Sequence, residues 1–140
     1  MLELAKVGPS DTVFDLGCGD GRIVIEAARR YGARGVCVDL DPQRIAEARA
    51  NAAEAGVADR IRFRQEDLLA TDLAGATVVT LFLSLDMNVR VRPRLRRELA
   101  SGARVVSHWH RMGDWQPDRI ISVPAPARPH ELFLWTLRRP

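Results

Sequence analysis

The chain has 140 residues, 46% of them hydrophobic and 28% charged, with a formal net charge of +3. That length suits one domain, residues 1–140, around a single core, and the composition is that of a globular protein. No apolar run approaches the ~20 residues that cross a bilayer, and residues 1–7 lack a basic segment followed by a long apolar one. No membrane or signal segment is therefore expected, and a cytoplasmic location is. The two cysteines, Cys18 and Cys37, make no disulfide framework and are expected as small, semi-buried thiols in a reducing compartment.

The positive charge is almost all arginine, since Lys6 is the only lysine. Among so many alanines this reads as genome composition rather than a nucleic-acid signature. The densest basic patch, Arg90, Arg92, Arg94, Arg96 and Arg97, is expected as a solvated helix face, with a docking surface for an acidic partner as the alternative.

In chain order, the first predicted strand covers residues 12–16, β-branched and aromatic, after the turn Gly8-Pro9-Ser10-Asp11. It runs into Asp15-Leu16-Gly17-Cys18-Gly19-Asp20-Gly21-Arg22, a glycine-rich turn that opens a helix over residues 21–31. A second strand over 35–39 leads to Asp41-Pro42, an N-cap followed by proline at N1, and a helix that Gly56 ends. Residues 60–65 alternate Ile61 and Phe63 against arginines, as an edge strand does. Residues 77–83 form a continuous apolar run, as in a central parallel strand. A helix over about 89–100 and a strand over 104–107 follow. Strands over 119–123 and 131–137 close the chain as a hairpin.

Alternating strands and helices imply a parallel sheet covered on both faces, with ligands outside the carboxyl ends of the strands. After the first strand, glycine N–H groups and a helix N-terminus favour an anionic group such as a carboxylate, and Asp15 suits an ammonium group. The spacing is G-x-G-x-G, and Arg22 stands where a dinucleotide fingerprint needs its third glycine. This departs from NAD and favours S-adenosylmethionine. After the second strand, Asp39 suits a ribose diol, Leu40 an adenine face, and Asp41 the helix cap. After the third, Asp67 suits the adenine amino group, or a turn or cap.

These strand-end acids resemble the class I, seven-strand, Rossmann-like methyltransferases that use S-adenosylmethionine. DLGCGDGR looks like their first motif, VDLDP their second-strand acid and QEDL their adenine-contacting segment. The resemblance implies an α/β three-layer sandwich with strand order 3-2-1-4-5-7-6, strand seven antiparallel, minimal and with a truncated N-terminal cap. It implies a cofactor held by Asp15, Gly17, Cys18, Gly19, Asp39, Leu40, Asp67, Leu68, Phe82 and Leu83, and S-adenosylhomocysteine as product. More loosely, Val79-Thr80-Leu81-Phe82-Leu83, Asn88, Arg104-Val105-Val106-Ser107-His108 and Met112-Gly113-Asp114-Trp115 resemble a small microbial subfamily. Archaeal and mitochondrial protein lysine methyltransferases are related to it. Members carry a Leu-Pro pair after strand four, where this chain has Ser84-Leu85.

A methyl acceptor lies past strands four and five. Asp86, Asn88 and His108 are the candidate catalytic residues: Asp86 to hydrogen-bond an amine, Asn88 to orient it, His108 to move a proton. Asp86 as a helix cap and His108 as a structural residue are the alternatives. Trp109 and Trp115 would wall an acceptor channel or pack in the core. No spacing suggests a metal. The reading is methyl transfer to a nucleophile, with a protein lysine favoured. A small-molecule methyltransferase, a non-catalytic cofactor-binding subunit and an NAD enzyme are the alternatives. A homodimer is an expectation for the open acceptor face.

Overall fold

The computed structural model describes residues 1–139. Its sheet has seven strands in the order β3-β2-β1-β4-β5-β7-β6. These are β1 (Thr12–Leu16), β2 (Arg34–Asp39), β3 (Ile61–Gln65), β4 (Val78–Leu81), β5 (Arg104–His108), β6 (Arg119–Val123) and β7 (His130–Thr136). β1 to β5 are parallel, and β7 runs antiparallel to both β5 and β6. This is the order the resemblance implied. No helix is long and apolar enough to cross a membrane among the described residues.

Alternation along the strands splits the core between two faces. Phe14, Leu16, Val79, Leu81 and Val105 face α3 (Leu85–Glu98), which contributes Val91 and Leu95. Val13, Val78 and Val106 face the other way, onto Ala27 of α1 (Arg22–Tyr31) and onto Leu2, Leu4, Ala5 and Val7. Beyond them α1 and α2 (Pro42–Glu54) cover β2 and β3 through Val24, Ile45, Ala48 and Ala52. The N-terminal turns therefore complete this face of the sheet. They are fastened there by Arg104, which donates to the Ala5 carbonyl at 2.9 Å and pairs with buried Asp11.

Asp41 caps α2 as expected, accepting from the Gln43 N–H at 2.9 Å. α3 starts earlier than its apolar spacing predicts, because Ser84 caps it by accepting from the Met87 N–H at 3.1 Å. Asp86 therefore sits in the first turn and is not the cap. Pro93 lies inside α3.

The cysteines depart from expectation: Cys18 and Cys37 form a disulfide, with Cα atoms 5.3 Å apart. The cause is local. The Gly17 and Cys18 N–H groups both donate to the Val38 carbonyl, at 2.7 and 2.9 Å, which folds the turn back over β2. A separation of 19 residues carries no trace of that reversal.

The basic face of α3 is largely engaged within the molecule. Arg92 donates to the Met112 carbonyl and to Asp114. Arg94 donates to Glu98 and to the Leu68 and Thr71 carbonyls. Arg96 lies over the Trp115 ring, 5.1 Å from its centroid.

Candidate active site

The glycine turn leaves β1 with positive φ at Gly17, Gly19 and Gly21 (84°, 57° and 83°), which side-chain-bearing residues rarely adopt. A Cβ at Gly17 would meet Leu83 Cδ2 at 3.0 Å, whereas one at Gly19 would enter open space. That space is a cavity of about 260 Å³ lined by Asp15, Gly17, Cys18, Gly19, Asp20 and Phe82, among others. Asp15 is buried at its floor and accepts from the Thr80 hydroxyl at 3.0 Å. Burial, with Asp39 and Asp20 nearby, pushes its carboxyl up to about 7 despite the Thr80 hydrogen bond. A buried carboxyl whose ionisation costs this much suits a cationic ligand group, which would restore the charged form.

Asp39 ends β2 beside the turn. Its Oδ2 accepts from the Gly19 N–H at 2.9 Å and its Oδ1 from the Asp41 N–H at 3.0 Å, so the carboxylate is held in one orientation. Leu40, next in sequence, is 67% exposed, an apolar side chain left in solvent at a strand end. After β3, Asp67 accepts from the Leu69 N–H at 2.9 Å in a turn, so it is no helix cap. Leu68 is half-buried against the core. Asp15 and the glycine turn line the cavity, Asp39 is hydrogen-bonded to Gly19 of that lining, and Leu40, Asp67 and Leu68 follow the neighbouring strand ends. The residues fit S-adenosylmethionine.

A second constellation lies past β4 and β5. Phe82, 57% exposed, borders the cavity and stacks on His108 with ring centroids 4.2 Å apart. His108 contacts Trp109 at 4.3 Å, and Trp109 stacks on His130 at 5.0 Å. His108 Nε2 and His130 Nδ1 share a hydrogen bond of 2.5 Å. Burial, with His130, His110, the Met1 amino group and Arg128 nearby, pushes the His108 imidazole down to about 4, so it is neutral at pH 7. Trp109 carries the strained φ of 66° and donates its N–H to the Glu131 carbonyl at 2.7 Å.

The candidates divide. His108 joins this wall. Asp86 is exposed at the start of α3. Asn88 is fully buried and donates to Ser107 Oγ at 2.9 Å and to the His110 and Arg111 carbonyls, both at 3.2 Å. Its amide nitrogen fastens α3 to Ser107 and to the segment after β5. Trp115 packs on Trp135, ring centroids 5.6 Å apart, within the core. His130 was missed by motif reading. The signal was topological: an antiparallel β7 brings its first residue to the edge where β5 ends.

Residues 15–119 match the family described as the ANTKMT methyltransferase domain. The chain belongs to this family. It is 41% identical over 138 residues to a protein-lysine N-methyltransferase of Saccharolobus islandicus, a match that covers 98% of this chain and 86% of that one. It is 34% identical over 122 residues to the adenine nucleotide translocase lysine N-methyltransferase of Mus musculus, of which it spans 52%. Among solved structures, it superposes on an RNA methyltransferase of Salinibacter ruber, crystallised with S-adenosylhomocysteine. There the TM-score is 0.92 at 49% identity, covering 99% of this chain and 88% of that one. This chain is thus an S-adenosylmethionine-dependent methyltransferase of class I fold. When bound, the cofactor supplies an electrophilic methyl group on a sulfonium.

Proposed function

We propose that the acceptor is a protein lysine side chain. The observation that carries this reading is the ring wall of Phe82, His108 and Trp109, which begins at the rim of the cofactor cavity. Its apolar faces suit the aliphatic stem of a lysine, and its neutral imidazole puts no positive charge against an incoming amine. Relatives named as lysine methyltransferases in Saccharolobus islandicus and in Mus musculus support it. In this reading Asp15 holds the cofactor's ammonium group and the glycine turn its carboxylate. Asp39 holds the ribose, and Leu40, Asp67 and Leu68 take the adenine. Asp86 meets the incoming amine, while His108, whose imidazole is pushed down to about 4 and is therefore a weak base, walls its approach. The enzyme works in the cytoplasm.

The RNA methyltransferase named for the Salinibacter structure favours a second reading, an RNA acceptor. The engagement of Arg92 and Arg94 with carbonyls and carboxylates of their own chain weighs against it. A lysate incubated with methyl-labelled cofactor separates the two. Label in protein, resolved by mass on lysine, is the expected result, whereas label confined to the ribonuclease-sensitive fraction would replace this reading by the second.

A further inference from the structure

The disulfide between Cys18 and Cys37 joins the two parts of the molecule that hold the cofactor. Cys18 lies between the positive-φ residues Gly17 and Gly19 and borders the cavity. Cys37 is fully buried in β2, two residues before Asp39, among Val24, Ala28 and Ile45. The same turn is held to β2 by the Val38 carbonyl and by Asp39, each accepting from its N–H groups. The covalent link is thus parallel to the hydrogen bonds that aim Asp39. Only one of the two sulfurs belongs to a residue that lines the cavity.

We propose that the Cys18–Cys37 couple is a redox control on cofactor binding, with the disulfide as the high-affinity state. The inference rests on the reading of this cavity as the cofactor site. With the bond intact, the turn is ordered before ligand arrives, and binding loses less conformational entropy. With it reduced, Cys18 is held only by hydrogen bonds between two glycines, and the Gly19 N–H that fixes Asp39 is less firmly placed. The exchange needs only a low-molecular-weight thiol. Its thiolate attacks Cys18 Sγ from the cavity, the Sγ–Sγ bond breaks, and Cys37 leaves as a thiolate and takes a proton. A second thiol then attacks the outer sulfur of the mixed disulfide and releases Cys18. One protein disulfide and two small thiols become two protein thiols and one small disulfide, and oxidation is the reverse. A ligand seated on Gly17 to Gly19 covers the route to Cys18. Linkage then requires reciprocity: the factor by which oxidation tightens cofactor binding equals the factor by which cofactor favours the disulfide.

Two titrations test this. S-adenosylhomocysteine is titrated calorimetrically into the oxidised chain and into the chain reduced by a phosphine, with thiols counted by mass after alkylation. Reduction is expected to weaken binding by roughly fivefold or more. The thiol–disulfide equilibrium in glutathione buffers, with and without saturating S-adenosylhomocysteine, is expected to shift by the same factor. A Cys37→Ala chain, titrated without glutathione, is expected to bind like the reduced protein with or without the phosphine. Equal affinities in the two redox states overturn the inference, as does an equilibrium that S-adenosylhomocysteine leaves unmoved. So does a failure of the two thiols to pair under the glutathione disulfide. Should the Ala variant not fold, the two titrations on the unaltered chain decide alone. Loss of binding in both redox states instead removes the cofactor assignment of the cavity, and this inference with it.

Discussion

Asp15 and Asp39 stand at the ends of adjacent strands, yet their environments give them opposite tasks. Asp15 is buried, with its carboxyl near 7, and among the described residues only Thr80 donates to its side chain. A ligand ammonium beside it would drive it to the carboxylate, so cofactor binding below pH 7 should expel a proton. The expected outcome is an affinity for S-adenosylhomocysteine that rises with pH up to about 7 and then levels. Calorimetry at pH 6 in two buffers of different ionisation enthalpy would read the released proton directly, and an Asp15→Asn chain should release none. Asp39, by contrast, already accepts two backbone N–H groups, so its remaining lone pairs are fixed in direction. Asp39→Ala should weaken cofactor binding by about 1.5–3 kcal/mol, as expected for hydrogen bonds involving a charged group. It also frees the Gly19 N–H, so the loss should lie toward the upper end. Unchanged affinity in a folded variant would mean that the ribose lies elsewhere.

At the scale of elements, the close fit of α1 on β2 depends on Gly35. A Cβ there would meet Val24 Cβ at 2.9 Å, with no backbone conformation special to glycine involved. Gly35→Ala should therefore destabilise the fold by about 1–3 kcal/mol through overpacking alone. A Gly35→Ala,Val24→Gly double variant, which removes the obstructing Cβ as well as Cγ1, should cost less in urea titrations than the sum of the two single losses. Additive losses would show that the two positions do not share the strain. Contacts of this kind are what a linear pattern cannot carry. β1, β6 and the cap of α2 were legible because periodicity and capping act over a few residues, and the meeting of Asp15, Gly17 and Asp39 at one edge because parallel strands end there together. The start of α3 was not, because Ser84 caps it while the apolar spacing begins only at Val91 and Leu95. Nor was the role of Asn88, whose partners lie 19 to 23 residues away and exist only once α3 docks on the end of β5. The disulfide and the His108–His130 pair belong to the same class, since each depends on a chain reversal that sets the partner.

For the molecule as a whole, two ill-matched charges at the ligand edge of the sheet make opposite contributions to stability. Asp15 has a folded-state pKa raised to about 7 from 3.8. Between those values the native state binds more protons than the unfolded chain, so this stabilisation is full below the lower value and is lost as pH rises toward 7. His108 is pushed from 6.5 down to about 4. Here the unfolded chain binds more protons in the interval, so the stability present above 6.5 is lost as pH falls toward 4. The windows nearly coincide and the slopes have opposite signs. Asp11, lowered against the effect of its burial by the Gly8 N–H, Thr77 and Arg104, contributes stability that is lost only as pH falls below the usual carboxylate range. The cofactor-free enzyme should therefore show an almost flat urea midpoint between pH 4.5 and 6.5, within the window the two shifts define. Each variant should expose the other residue. Asp15→Asn leaves His108 unopposed, so its midpoint should climb with pH across that window, whereas His108→Gln leaves Asp15 unopposed, so its midpoint should fall. Parallel profiles for the two variants would mean that neither group titrates with the fold. The balance holds only without ligand, because an ammonium on Asp15 removes the penalty of ionising it. With saturating S-adenosylhomocysteine, the unaltered enzyme should lose its flat profile and gain stability with rising pH, as the Asp15→Asn chain does without it.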